Sequence, residues 1–128
     1  MLRLLAACGL LLATCHPGMA AARIVALNSD MVGTWGHDPR SCTVETDNGR
    51  VEVKPLEVIF FAASCNLSGL RQGPVDALSA NGRCYGEGGS FSERISLRFR
   101  QISQTRLEIT FEGMSHVYQR CERALPVR

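Results

Sequence analysis

Two stretches of this chain alternate polar and apolar residues without a break, and they constrain its folding more than any other feature. From Arg94 to Gln101, Ile95, Leu97 and Phe99 fall on one face and Arg94, Ser96, Arg98 and Arg100 on the other. From Arg106 to Glu112, Leu107, Ile109 and Phe111 oppose Arg106, Glu108, Thr110 and Glu112. A period of two residues belongs to a half-buried strand, and two such runs with a short gap make a hairpin. A three-residue loop at Ile102-Ser103-Gln104 pairs the like faces. It sets Arg98 opposite Glu108 and Arg94 opposite Glu112, and cross-strand opposite charges favour that register.

Other segments read the same way. Arg50 to Lys54 alternates after the turn residues Asp47-Asn48-Gly49. Pro55 breaks the run, and Glu57 to Phe61 follows, rich in β-branched and aromatic residues. Gly113 turns the chain into a last strand at about Ser115 to Cys121. Weaker strands fall at Met31 to Trp35, Cys65 to Leu70 and Val75 to Arg83. No stretch carries a 3.6-residue period. The one helical turn expected is Asp38 to Cys42, with Asp38 as cap and Pro39 in the first position. The class is all-β: about seven short antiparallel strands in a meander that closes into a small barrel.

The first residues read as an address. Met1-Leu2-Arg3 is a short cationic start, Leu4 to Cys15 is nearly all apolar, and Pro17-Gly18 ends any helix. Ala20-Ala21-Ala22 fits cleavage before Arg23, and Gly18-Met19-Ala20 offers cleavage before Ala21. Residues 1–22 are therefore expected to be a signal peptide and 23–128 one domain. Leu12 to Cys15 loosely matches a lipoprotein box, but Thr14 fits it poorly, so lipid anchoring at Cys15 is the weaker alternative to simple export. The expected location is periplasmic or secreted. No apolar run reaches the ~18 residues of a transmembrane helix.

Removing residues 1–22 of the 128 leaves 106, with 13 basic against 12 acidic residues and four cysteines, Cys42, Cys65, Cys84 and Cys121. An even number in a small exported domain implies two disulfides. Zinc would need close cysteine pairs, and the separations here are 23, 19 and 37 residues. In the meander, Cys65 and Cys84 sit opposite each other across a hairpin turning near Gln72-Gly73-Pro74. Cys121 ends the last strand, where the segment after the first strand would start, which favours Cys42 with Cys121, tying the barrel shut. The pairing Cys42–Cys65 with Cys84–Cys121 stays open.

Gly33-Thr34-Trp35 opens the domain and Tyr118-Gln119-Arg120-Cys121 closes it. This resembles a reduced version of the lipocalins and related calycin barrels, in which a Gly-x-Trp begins the first strand and an Arg from the last strand covers that Trp. The resemblance implies a calycin-like barrel with Trp35 plugging one end under Arg120. Nearly all of the chain after residue 22 also resembles a group of small exported bacterial proteins of uncharacterised function. The shared order is Gly33-Thr34-Trp35, Pro39 to Cys42, Cys65, Cys84-Tyr85-Gly86-Glu87-Gly88 and Tyr118 to Cys121. That group usually has a Glu three residues before its second Cys, where this chain has Ala62, so no role of that carboxylate carries over. The resemblance implies fold and location and no activity.

Candidate sites are few. His37 and His116 lack a third ligand and nothing in the sequence brings them together, so loop and edge roles are expected, with no metal and no cofactor. No Gly-x-Ser-x-Gly elbow is present, and disulfide formation removes the thiolates. Glu87, in Gly86-Glu87-Gly88-Gly89, is either a rim carboxylate touching a partner or a turn residue bonding local amides. The Arg94, Arg98, Arg100 and Arg106 face lacks aromatics for base stacking and has Glu108 and Glu112 beside it. It reads as a solvated sheet face, with no nucleic-acid partner.

These observations point to a monomeric, non-enzymatic, disulfide-stabilised binding protein that works through loops at one barrel end. The first expectation is a protein-binding module, for example an inhibitor of a hydrolase such as lysozyme or a protease. Ser79 to Tyr85 resembles the Ser-Gly-x-Arg-Tyr loop of one lysozyme-inhibitor class, with Cys84 interrupting the spacing. Arg83, Tyr85 and Glu87 are then the candidate contacts. The alternatives are a small apolar-ligand carrier of calycin type and a structural envelope protein or lipoprotein.

Overall fold

The computed structural model describes residues 24–89 and 92–122; the leader, cleavage and Cys15 lipidation readings lie outside them. Eight strands form one closed barrel in sequence order. They are β1 (Gly33–Gly36), β2 (Arg50–Lys54), β3 (Glu57–Phe60), β4 (Ala63–Gln72), β5 (Leu78–Gly86), β6 (Ser92–Ser103), β7 (Arg106–Phe111) and β8 (Met114–Arg120). Every neighbouring pair is antiparallel, and β8 returns to β1 through Trp35–Arg120 and Gly36–Gln119. The count is eight rather than about seven, because the weaker segments near Trp35, Cys65 and Arg83 all pair as full members of the barrel.

The helical turn is α1 (Pro39–Thr43). Asp38 caps it by accepting from the Ser41 amide, and Pro39 takes the first turn, where no amide is needed. The fifth strand starts later than its apolar letters suggest. Pro74 to Ala77 forms a tight turn closed by the Ala77 amide donating to the Pro74 carbonyl, with Val75 and Asp76 both at positive φ, and strand pairing resumes at Leu78. Likewise Met31 is not in β1. It packs, buried, in the segment that precedes it.

The hairpin of β6 and β7 has a different register from the one the charges suggested. Arg100 faces Glu108, and Arg98 faces Thr110. The turn is Gln104-Thr105 alone, held by the Ser103 hydroxyl accepting from the Thr105 amide. An irregularity between Gln101 and Ser103 absorbs the extra residue, Ile102. The inward set is unchanged, because a two-residue slip keeps each side chain on its face. Arg100 Nε donates to Glu108 Oε1 at 3.1 Å.

Both disulfides are Cys65–Cys84 and Cys42–Cys121. The first joins directly opposed residues of β4 and β5. The second ties α1 to the residue after β8, across the short β1–β8 seam.

Inside, Trp35, Val58, Phe99, Leu107 and Ile109 are fully buried. A methyl group added at Gly82 would lie 2.6 Å from Leu97 Cδ1, so the interior is filled by side chains. One end is closed by residues 24–32. There Leu27 and Met31 are buried, and the Trp35 indole donates to the Met31 carbonyl at 2.9 Å.

Candidate functional site

The opposite end is built from the β3–β4 turn, the β7–β8 turn and the connections after β1 and β5. The doublet Phe60-Phe61 closes β3. Strand alternation sends Phe60 inward, and Phe61, in the turn, stays 57% exposed. Phe60, Phe61, Ile95, Phe111 and the Cys65–Cys84 bridge line a shallow apolar depression of about 410 Å³, with Glu93 and Glu112 on its lip. On the other side of Phe61 lies a second hollow of about 310 Å³, carrying Glu45, Asp47, Glu52 and Glu87 against one cation, Arg50, which donates to the Cys42 carbonyl. Phe60 and Phe61 belong to both. Phe61 is thus an aromatic ridge between an apolar floor and a group of carboxylates drawn from three separate segments.

Local chemistry fixes this rim. The Glu87 amide donates to the Ala62 carbonyl at 3.0 Å, latching the β3–β4 turn to the end of β5. Asp47 accepts from the Gly49 amide at 2.8 Å and from the Ser41 hydroxyl at 2.8 Å. These bonds, the amide first, hold its carboxyl below the usual range. Asp47 therefore stays charged while ordering the loop that carries Glu45.

A run of rings leads from the depression along β8. Phe60 meets Phe111 edge-on at 5.4 Å, and Phe111 stacks on His116 at 5.0 Å. His116 meets His37 at 5.9 Å, and His37 stacks on Tyr118 at 5.3 Å. His37 lies in the loop after β1 as expected, but His116 is inside β8, and the two histidines are brought together, which nothing in the sequence indicated. β1 is only four residues long, so His37 runs off its end beside β8, and its Nδ1 lies 3.3 Å from the Val117 carbonyl. His116 Nε2 is buried without a hydrogen-bond partner among the described residues. Burial pushes the Tyr118 phenol up. No group of three or more His, Cys, Asp or Glu side chains able to hold a metal occurs among the described residues.

The residues singled out from sequence divide between two surfaces. Arg83 and Tyr85 point outward from the middle and end of β5, and Glu87 follows at the rim. Ser79 to Tyr85 is strand, not loop, with every residue paired to β6, so it offers no loop of the inhibitor kind. At the closed end the Arg120 guanidinium carbon lies 4.3 Å from the Trp35 ring centroid. Sequence reasoning missed Phe61, although in the strand expected over Glu57 to Phe61 two adjacent Phe residues would have to face opposite sides. It also missed the carboxylates around Phe61, which meet because Glu87 is latched to the β3–β4 turn while Glu45, Asp47 and Glu52 approach from β2 and the connection before it.

Comparison with protein-family models, with curated proteins and with solved structures finds no match.

Proposed function

We propose that this is an exported, non-enzymatic binding module whose open barrel end engages a basic surface of a protein partner. The observation that carries the reading is Phe61, 57% exposed between an apolar depression and the group Glu45, Asp47, Glu52 and Glu87. Exposed aromatic side chains beside a desolvatable floor are the usual anchors of protein interfaces. Four carboxylates against the single Arg50 leave this rim net acidic, and such a rim favours a basic partner and speeds its approach. A hydrolase with a basic surface is one such partner, and an inhibitory role follows if the anchor enters its cleft. Two disulfides in a small domain support an oxidising location. The filled interior argues against a deep carrier cavity, with Phe99 and Trp35 fully buried.

The test is capture of partners from envelope extract and host fluids by the oxidised protein, beside Phe61→Ala and Glu87→Lys variants. Retention of a basic protein that both variants lose supports the reading. Equal retention by all three proteins sinks it. A second reading, a small apolar ligand, is favoured by the apolar lining between Phe60 and Phe111. Displacement of a bound apolar dye by lipids, unaffected by Glu87→Lys, would select it.

A further inference from the structure

The outer face of β4, β5 and β6 carries a separate arrangement. Three cross-strand rows lie side by side. In the first, Arg71 faces Ser79, which faces Arg98. In the second, Ser68 faces Asn81, which faces Ser96. In the third, Asn66 faces Arg83, which faces Arg94. Rows two residues apart are about 7 Å apart. The result is a floor of small hydroxyl and amide side chains with arginines on both sides. All four arginines are exposed. None makes an ion pair among the described residues, and Arg83 reaches only the Ser92 hydroxyl, at 3.4 Å. Two hollows, of about 450 and 340 Å³, lie along this face and share Ser96. Glu112 is the one carboxylate that lines them.

Two features set this apart from an ordinary solvated sheet face. Arg83 and Arg94 are directly opposed, and like charges in that position oppose strand pairing. The expected relief, an acid across from Arg94 or Arg98, is absent: Glu108 pairs with Arg100 instead. Arg71 joins the face only through a bulge. Regular alternation after Ser68 would turn Arg71 inward, but pairing shifts between Ser68 and Arg71, where Gly69 has φ +60°. Leu70 then packs against the core and Arg71 turns out beside Ser79.

We infer that this face binds an acidic, hydroxyl-rich polymer, a sulfated or uronate-bearing glycan, gripped by Arg71, Arg83, Arg94 and Arg98. Guanidinium forks match sulfate and carboxylate oxygens in bidentate pairs. Ser68, Asn81 and Ser96 between them supply donors and acceptors for sugar hydroxyls. The three rows hold no aromatic ring and no large apolar side chain, and Tyr85, in the next row, is a single ring, too little to stack successive bases or to anchor in a bilayer.

The experiment titrates the purified, oxidised protein with dextran sulfate, with neutral dextran, poly-dT and phosphatidylglycerol vesicles as comparisons. Dextran sulfate is expected to bind and neutral dextran not to. Arg83→Gln with Arg94→Gln should weaken that binding about tenfold or more, since hydrogen bonds between charged groups are individually strong. The same pair should leave the urea midpoint unchanged or raised, because it removes a like-charge opposition. Arg40→Gln with Lys54→Gln, an equal charge change elsewhere, should leave binding nearly intact. Three results would overturn the inference: no binding of dextran sulfate, equal weakening by both double variants, or tighter binding of poly-dT or vesicles.

Discussion

Arg120 lies over the face of Trp35, and the same guanidinium donates to the carbonyls of Val32, Gln104 and Asp30. One side chain from the last strand thus holds together the first strand, the segment before it and the β6–β7 turn. A lysine has neither the planar fork nor the stacking surface to do this. Arg120→Lys is expected to cost about 2 kcal/mol, from one stacked cation and the lost charge-assisted hydrogen bonds. Urea unfolding followed by Trp35 fluorescence checks this. A cost near zero would mean that the closed end is held by Leu27 and Met31 alone.

The two disulfides close loops of very different size, with sequence separations of 79 for Cys42–Cys121 and 19 for Cys65–Cys84. In the chain-entropy account these constrain the unfolded chain by about 4.5 and 3 kcal/mol respectively. Replacing Cys42 and Cys121 by Ala should therefore lower stability more than replacing Cys65 and Cys84. Paired thermal melts of the two double variants decide it. The reverse order would mean that the bridge flooring the depression, between Phe60 and Phe111, matters more through packing than through loop closure.

What the sequence discloses is local. Arg50 to Lys54 alternates and is β2 to the residue; Asp38-Pro39 spells a capped turn and is one. The meander favours both disulfides, with β4 beside β5 and the last strand ending near the first, and the structure decides between that pairing and the alternative the sequence leaves open. What it hides depends on one-residue differences or on closure. The Arg100–Glu108 pairing turns on whether Ile102 belongs to the turn or to a bulge, and charge complementarity serves either register. His37 meets His116 because β1 is shorter than β8, a fact of barrel geometry. The carboxylates around Phe61 come from the β1–β2 connection, β2 and the end of β5. No single window of the chain contains them.

Asp47 gives the rim a pH dependence of definite sign. Its carboxyl is held below the ordinary value of 3.8 by the Gly49 amide and then the Ser41 hydroxyl. A depressed acid stabilises the fold above its unfolded value and loses that contribution as pH falls through the folded value. Stability should thus decline from about pH 4 downward more steeply in the protein than in an Asp47→Ala variant. The two curves should run parallel above that. Urea midpoints measured from pH 2 to pH 7 test the difference. Curves parallel throughout would mean that the Asp47 bonds persist in the unfolded chain.

Gly69 is where backbone geometry and surface charge are coupled. Its φ of +60° is in the left-handed region, which costs other L-residues about 1–2 kcal/mol. A Cβ there would also lie 2.9 Å from the Asn81 amide nitrogen, but Asn81 is exposed and can swing aside. Strain rather than collision therefore sets the cost. Gly69→Ala should lose about 1 kcal/mol, and Gly69→Asn less, because Asn tolerates this conformation. If the bulge is what turns Arg71 outward, relaxation of the strand in Gly69→Ala should also weaken dextran sulfate binding, and Gly69→Asn should restore it. Parallel measurement of unfolding and binding for the two variants separates the effects. Loss of stability with binding unchanged would show that the bulge survives the substitution and that Arg71 keeps its place beside Ser79.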